Sequence, residues 1–314
     1  MEQVLEIAIT TKNLTRDFKP TRAVDALSFE VPSGTIFGFL GPNGAGKTTT
    51  IHLLLGILEP TSGKASVLGF DCETQGHAIR QNTGVLLEHH GLYERLSAEA
   101  NLEFYARIWK LKHKERNARI QELLSSLELW ERRKDNVENW SHGMKKKLAI
   151  ARALIHHPLL LFLDEPTNGL DPIAADALRS NLMDLVLREH ITVFLTTHNL
   201  NEAEKLCQQV GVIRQGKLLA VGSVETLKSK SEALLVEIDG KGFDDRIVSL
   251  VQQRKEVNNI EQEKGKLLVR LNKNYSIAPI IQILVEQGVA IEEVRKRRAN
   301  LEDVFIQLVK EEQS

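Results

Sequence analysis

The distribution of apolar and polar residues along the chain predicts an α/β fold. Residues 35–40, "TIFGFL", have the composition of an apolar strand, and residues 49–58, "TTIHLLLGIL", show helical spacing of apolar positions. Residues 159–164, "LLLFLD", are too continuously apolar for a strand with one exposed face, so we expect a parallel strand buried on both faces. A third apolar strand is predicted at residues 191–198, "ITVFLTTH".

The middle of the chain is predicted to be helical. Residues 96–139 combine dense charge with leucines and aromatic residues that recur on one helical face. Ser97, followed by Glu99 and Asn101, gives a plausible helix start.

The pattern changes after residue 230. Residues 231–314 alternate short strand-like runs with helical ones in the order β-α-β-β-α-β-α, which suggests a small ferredoxin-like α+β domain without a catalytic constellation. We therefore expect a larger α/β domain at residues 1–230 and an accessory domain at 231–314.

A glycine-rich loop joins the first predicted strand to the helix that follows. Its spacing, G-x-x-x-x-G-K-[ST], suits a loop whose backbone N–H groups surround phosphate oxygens at a helix start. Lys47 is then expected to reach the β and γ phosphates, and the Thr48 hydroxyl to bind Mg²⁺. The nucleotide-binding residues predicted here are Gly41, Pro42, Asn43, Gly44, Ala45, Gly46, Lys47, Thr48 and Thr49.

Two carboxylates end the buried strand, and a histidine ends the next one. Asp164 is predicted to hold Mg²⁺, and Glu165 to orient and deprotonate the attacking water. His198 could contact the γ-phosphate and the water, although a single histidine at a strand end is more often structural. Together with the loop, these residues predict nucleotide hydrolysis.

The composition of the chain indicates which partners and which cellular compartment to expect. The formal net charge of the 314 residues is −1, which indicates neither a nucleic acid nor an acidic surface as partner. Cys72 and Cys207 match no metal or redox spacing, which favours a reducing compartment, the cytosol. We find neither a signal-peptide pattern nor an apolar run of membrane-helix length.

The ordered motifs "GPNGAGKT", "WSHGM", "LLLFLDEP", "NGLD" and "TTH" resemble the ATP-binding subunit of ABC transporters over about residues 4–228. This resemblance implies that Ser141 and the N–H groups near Gly143 form a signature loop that binds the γ-phosphate of ATP held by another subunit. ATP would then join two subunits head to tail. The resemblance also places Asp171 across this interface, with a turn cap as its alternative role.

Two site residues follow from the resemblance less directly. The family has an aromatic residue that stacks on adenine, and Phe18 is the candidate, with an ordinary core phenylalanine as the alternative. Glu88 occupies the place of a family glutamine that contacts Mg²⁺ and the water. A glutamate can still bind the metal, but it lacks the amide donor, so the role of Glu88 stays open.

Other departures point to the exporter type. The family usually has Gly and Gln where this chain has His142 and Met144, and the looser signature is common in exporter-type subunits that carry a C-terminal accessory domain. Lysines 145–147 begin the signature helix and are interpreted as solvated side chains. The alternative is that they add positive electrostatic potential near the shared phosphate.

The resemblance implies partners as well. Residues 91–157 would form a helical subdomain that receives a short helix of a membrane permease, with Tyr93 as a contact, at the cytoplasmic side of the membrane. We therefore expect an ATPase that uses ATP and Mg²⁺, forms a homodimer or a dimer with a related ATPase subunit, and powers export.

Two other functions remain open at this point. One is the ATPase of an importer, and the other is a soluble clamp on nucleic acid or the ribosome. The basic run at residues 295–298 could favour the latter, but it lies beside acidic residues and is interpreted as a solvated edge, so no nucleic acid is expected.

Overall fold

The computed structural model describes residues 6–87, 90–230, 234–263, 265–272, 275–297 and 300–312. The chain divides into two compact units, Met1–Ser223 and Val224–Ser314. Within the described residues, no helix combines the length and apolar character required to cross a membrane.

The first unit contains two sheets. Its strands are β1 (Ile7–Phe18), β2 (Thr21–Pro32), β3 (Ile36–Leu40), β4 (Ser62–Val67), β5 (Phe70–Asp71), β6 (Thr83–Leu86), β7 (Leu160–Asp164), β8 (Thr192–Thr197), β9 (Gln209–Arg214) and β10 (Lys217–Ser223). An antiparallel sheet has the order β2-β1-β4-β5, and a second sheet has the order β10-β9-β3-β8-β7-β6. In the second sheet only β10 is antiparallel to its neighbour.

Three strands at the centre of the second sheet, β3, β7 and β8, are buried at every residue. Their continuous apolar sequences therefore reflect burial on both faces, as predicted. Aromatic rings fill the space next to the antiparallel sheet, where Phe29 of β2 stacks on Phe37 and Phe194. This antiparallel sheet was not predicted from the sequence, in which residues 7–32 were considered only as the source of Phe18.

The helices of the first unit are α1 (Lys47–Leu54), α2 (Gly76–Asn82), α3 (Ala98–Ile108), α4 (His113–Ser126), α5 (His142–Leu154), α6 (Pro172–Glu189) and α7 (Leu200–Leu206), with 3-10 turns at Trp130–Arg132 and Val137–Asn139. Four of these helices lie in segments that the sequence predicted to be helical, namely α1, α3, α4 and α5, whereas α2, α6 and α7 were not predicted. The Ser97 side chain accepts a hydrogen bond from the N–H of Ala100, so it caps α3 as the sequence suggested.

The second unit has a single antiparallel sheet. Its elements are α8 (Val224–Lys230), β11 (Leu234–Lys241), α9 (Asp245–Gln252), β12 (Val257–Glu263), β13 (Lys266–Leu271), α10 (Ala278–Glu286), β14 (Ala290–Arg297) and α11 (Leu301–Glu312). The strand order β12-β13-β11-β14 and the intervening helices give the connectivity of a ferredoxin-like unit. Val236, Leu267 and Val251 are fully buried in its core.

The boundary between the units differs from the change of sequence pattern after residue 230. By contacts, α8 belongs with the second unit and packs against α11. The basic run begins on β14, where Arg295 and Lys296 are exposed and Arg295 pairs with Glu293. This pairing agrees with a solvated edge.

Candidate functional site

The phosphate loop connects β3 to α1 at the carboxyl edge of the parallel sheet. Gly46, the N-cap of α1, has a φ of 105°, and a Cβ there would lie 2.4 Å from the Ala23 carbonyl oxygen. A residue with a side chain would be strained and would clash, so glycine is required at this position. No side chain caps α1, which leaves the N–H groups of its first turn to bind an anion.

Lys47 lies between the loop and the predicted catalytic carboxylate. Its side chain is 6% exposed, and its Nζ donates hydrogen bonds to the carbonyl oxygens of Gly41 at 2.8 Å and Pro42 at 3.2 Å. The same ammonium lies 3.0 Å from Glu165 Oε1. The sequence prediction that Lys47 and Glu165 share one site therefore agrees with this geometry.

The oxygen atoms expected to bind a metal ion also converge. The Thr48 hydroxyl donates to Asp164 Oδ2 at 2.7 Å, and the Thr196 hydroxyl donates to Asp164 Oδ1. Asp164 is buried, and its carboxylate is fixed from both sides. A hydroxyl and a carboxylate this close are the hard oxygen donors that Mg²⁺ prefers, so these residues fit a magnesium ion.

Glu165 has an unusual backbone conformation. Its φ is 50°, in the left-handed region, where a non-glycine residue costs about 1–3 kcal/mol and persists only when its surroundings hold it. Its N–H donates to the carbonyl and hydroxyl oxygens of Thr196, each at 3.1 Å. His198 Nδ1 lies 2.9 Å from Glu165 Oε2, so the predicted histidine contacts the carboxylate directly.

These groups face a cleft of about 770 Å³. Its lining comprises Thr21, Arg22, Ala23, Asn43, Gly44, Gly46, Lys47, Thr48, Thr49, Leu86, Leu87, His90, His142, Lys146, Asp164, Glu165, Asn168, Gly169 and Gln215. No role in this pocket was predicted for the residues from the β1–β2 hairpin, nor for His90 and Asn168, and Lys146 was predicted only as one of three lysines that are solvated or near the shared phosphate. These residues come from four separate chain segments, and of them only Asn168 lies in one of the motifs, "NGLD".

His90 and His142 meet at one side of the cleft, with ring centroids 5.0 Å apart. Burial, and then the neighbouring charge of His142, lower the pKa of His90. His90 is therefore expected to be neutral at pH 7.

The signature-loop residues lie at a helix start. Ser141 is the exposed N-cap of α5 and accepts a hydrogen bond from the N–H of Met144 at 3.3 Å. Neither Ser141 nor Gly143 lines the cleft that contains Lys47. Asp171 is exposed and caps α6 by accepting from the N–H groups of Ile173 and Ala174, so its alternative role as a cap is observed.

Of the predicted adenine-stacking and metal-contacting residues Phe18 and Glu88, the structure describes only Phe18. The Phe18 ring is 41% exposed, with the Arg16 guanidinium 4.7 Å from its centroid, so it is not an ordinary core phenylalanine. Phe18 does not itself line the cleft, although Thr21 and Arg22 of the same hairpin do. Glu88 lies outside the described residues, and its predicted contact with Mg²⁺ stays a prediction.

The three lysines after the signature loop have three different partners. Lys145 pairs with Glu94 at 2.8 Å, and Lys147 pairs with Glu128 at 2.7 Å. Lys146 is instead buried and donates to the carbonyl oxygen of Glu165 at 2.8 Å. The interpretation of the run as solvated is therefore wrong, since the side chains of Lys145 and Lys147 are only 17% and 14% exposed and Lys146 faces the site.

Comparison with known proteins agrees with this arrangement. The sequence model of the family described as ABC transporter matches residues 24–168. The bacitracin transport ATP-binding protein BcrA of Bacillus licheniformis is 36% identical over 302 residues, covering 96% of this chain and 97% of the relative. The daunorubicin resistance ATP-binding protein DrrA3 of Streptomyces coeruleorubidus is 32% identical over 308 residues, covering 96% of each chain.

A solved structure leads to the same family. It is described as the ATP binding subunit of an ABC transporter, and it aligns with a TM-score of 0.64 and 29% identity over 71% of this chain and 92% of that one. Since relatives align over nearly their whole length and the phosphate loop, Asp164 and Glu165 share one cleft, the chain belongs to the ATP-binding, ATP-hydrolysing subunits of ABC transporters.

Proposed function

We propose that this chain powers export by closing as a dimer around two ATP molecules and reopening after hydrolysis. The observation that carries the proposal is that Ser141, the predicted signature serine, does not line the cleft that contains the phosphate loop, although His142 and Lys146 of the same helix do. Lys47 and Glu165 lie inside the cleft, whereas Ser141 is exposed at the start of α5 outside that cleft. An exposed helix start with a serine cap suits the γ-phosphate bound by a second copy.

Within each cleft the residues divide the chemistry. Lys47 and the N–H groups of the first turn of α1 bind the phosphates, and Phe18 contributes its half-exposed ring to the adenine. Mg²⁺ held by Thr48 and Asp164 would neutralise charge on the β and γ phosphates. Glu165 orients the attacking water and accepts its proton, and His198 holds the Glu165 carboxylate.

Hydrolysis would release the dimer because ADP lacks the phosphate that joins the two subunits. A separate membrane permease, at whose cytoplasmic face the dimer acts, would convert closing and reopening into transport. The name of the daunorubicin resistance relative supports export over import, and the name of the bacitracin transport relative supports a compound of that kind as the substrate. The helical region with Tyr93, which is 47% exposed, is the proposed contact with the permease.

The test of this proposal is the association state of Glu165→Gln in Mg-ATP. This variant keeps the shape of the site but removes the proton acceptor, so it should bind ATP, fail to hydrolyse it and elute as a dimer. Glu115→Gln, the same change at an exposed glutamate of α4, should hydrolyse ATP like the wild type and show no trapped dimer. A monomeric Glu165→Gln with bound ATP would contradict the proposal.

The direction of transport needs a second assay. Inside-out vesicles that contain the permease and this chain should accumulate labelled bacitracin or daunorubicin only with hydrolysable ATP. ATP-driven loss of a preloaded substrate from the same vesicles would instead indicate import.

A further inference from the structure

Lys146 is a buried cation in the site, and the proposed function assigns it no role. Its side chain is 6% exposed, it lines the cleft, and its Nζ donates to the Glu165 carbonyl oxygen at 2.8 Å. Burial lowers the pKa of Lys146 to about 8, against the opposing effects of Glu165, Glu202 and Asp164. Burying an ammonium group costs free energy, so the contact that Lys146 makes is expected to have a function.

The contact is made to the backbone of Glu165, which is in the left-handed region. This conformation is held at the N–H by Thr196 and at the carbonyl oxygen by Lys146 and by the N–H of Asn168 at 3.1 Å. Lys47 and His198 contact the carboxylate at the other end of the residue. Lys146 therefore contacts Glu165 at its backbone carbonyl oxygen, whereas Lys47 and His198 contact its carboxylate.

Lys146 also connects two parts of the site through one helix. It lies on α5, which begins with the Ser141 cap, while Glu165 follows β7. Its neighbours Lys145 and Lys147 reach Glu94 and Glu128 instead, so the link between α5 and Glu165 depends on the middle lysine.

We propose that Lys146 is a positioning residue for hydrolysis, whose ammonium holds the backbone of Glu165 so that the carboxylate stays aligned with the attacking water. The inference rests on the proposed role of Glu165. Misplacement of a reacting group by about 1 Å costs about a hundredfold in rate, so a loosened Glu165 should slow hydrolysis while nucleotide binding persists.

The experiment compares Lys146→Met with Lys147→Met, which removes the same charge from the same helix but a different partner. We expect Lys146→Met to lower kcat for ATP at least about tenfold, with KM changed less than about threefold. Lys147→Met should keep kcat within about twofold of wild type, because it loses only a pair with an exposed glutamate.

A second measurement distinguishes positioning from loss of structure. Since Lys146→Met would bind ATP and hydrolyse it slowly, it should accumulate an ATP-bound dimer in Mg-ATP, as is expected of Glu165→Gln. Its thermal midpoint should not fall, because burial of the Lys146 ammonium costs more than its attraction to the nearby carboxylates returns, as its lowered pKa indicates. A kcat within about twofold of wild type, or a lower kcat accompanied by lost ATP affinity and a lower midpoint, would overturn the inference.

The two proposals fail differently. A Glu165→Gln variant that stays monomeric with ATP refutes the dimer. A Glu165→Gln dimer together with an unimpaired Lys146→Met refutes only the positioning role.

Discussion

Arg119 is predicted to attach helix α4 to the ends of helices α5 and α6. Arg119 of α4 is 3% exposed, and its guanidinium makes two hydrogen bonds of 2.8 Å to the carboxylate of Glu189, at the end of α6. It also donates to the carbonyl oxygen of Leu154, the last residue of α5, at 2.9 Å. One side chain therefore joins three helices.

The expected cost of Arg119→Met follows from these contacts. Removing one partner of a fully buried ion pair costs about 3–5 kcal/mol, because the other charge is left unpaired. The Glu189 side chain is 18% exposed, so water would partly solvate its carboxylate. We therefore expect Arg119→Met to lower the free energy of unfolding of this region by about 2–3 kcal/mol.

The assay can be specific for this part of the chain. All three tryptophans, at positions 109, 130 and 140, lie in the helical region. Urea unfolding followed by tryptophan fluorescence therefore reports on the segment that Arg119 attaches. In a double-mutant cycle, Arg119→Met with Glu189→Met should be less destabilised than the sum of the single variants by about 1–2 kcal/mol.

The control is Arg107→Met on α3. Arg107 is 67% exposed, and its partner Glu103 keeps a second ion pair with Arg116. Its loss should cost less than about 0.5 kcal/mol. Equal effects of Arg119→Met and Arg107→Met, or strict additivity in the double variant, would refute the assignment of Arg119 as the link between the helices.

Two further predictions concern nucleotide binding and pH. Lys47→Ala should abolish tight ATP binding measured by calorimetry, since it removes the buried ammonium of the phosphate site; unaltered affinity would contradict that role. His156 stacks on Trp109 with ring centroids 3.9 Å apart, and burial lowers its pKa to about 4 from 6.5. Below pH 6.5 the unfolded chain therefore binds more protons at His156 than the folded chain does. The free energy of unfolding has its full value above pH 6.5 and falls by about 3 kcal/mol as the pH falls towards 4. His156→Phe should flatten that part of the pH profile in urea unfolding, and an unchanged slope would refute it.

Features set by neighbouring residues in the chain could be predicted from the sequence, whereas contacts between distant residues could not. The phosphate loop and the Asp164–Glu165 pair were predictable, because each is set by consecutive residues at the end of a buried strand. Those strands are recognisable since burial on both faces requires continuous apolar sequence. The ferredoxin-like connectivity was predictable for a similar reason, because its strands and helices differ in periodicity.

Lys146 illustrates what the sequence left open. In a run of three lysines, solvation is the ordinary expectation, and nothing local marks the middle one. Helical geometry and the packing of α5 direct Lys146 to Glu165 while its two neighbours reach other glutamates. The sequence likewise left the exposure of Phe18 open. Phe18 is the last residue of β1, and its exposure depends on the conformation of the turn that joins β1 to β2.

The sequence alone thus determined the family, the buried central strands with the phosphate loop, and the residues capable of the chemistry, because these depend on local spacing and residue type. Only the tertiary structure decided which distant side chains meet: Lys47 with Glu165, Thr48 with Asp164, and Lys146 with the Glu165 backbone. Such contacts join segments more than a hundred residues apart in two of these three cases, as between positions 47 and 165 or 48 and 164. Their distances are set by how strands and helices pack, which no short stretch of sequence specifies.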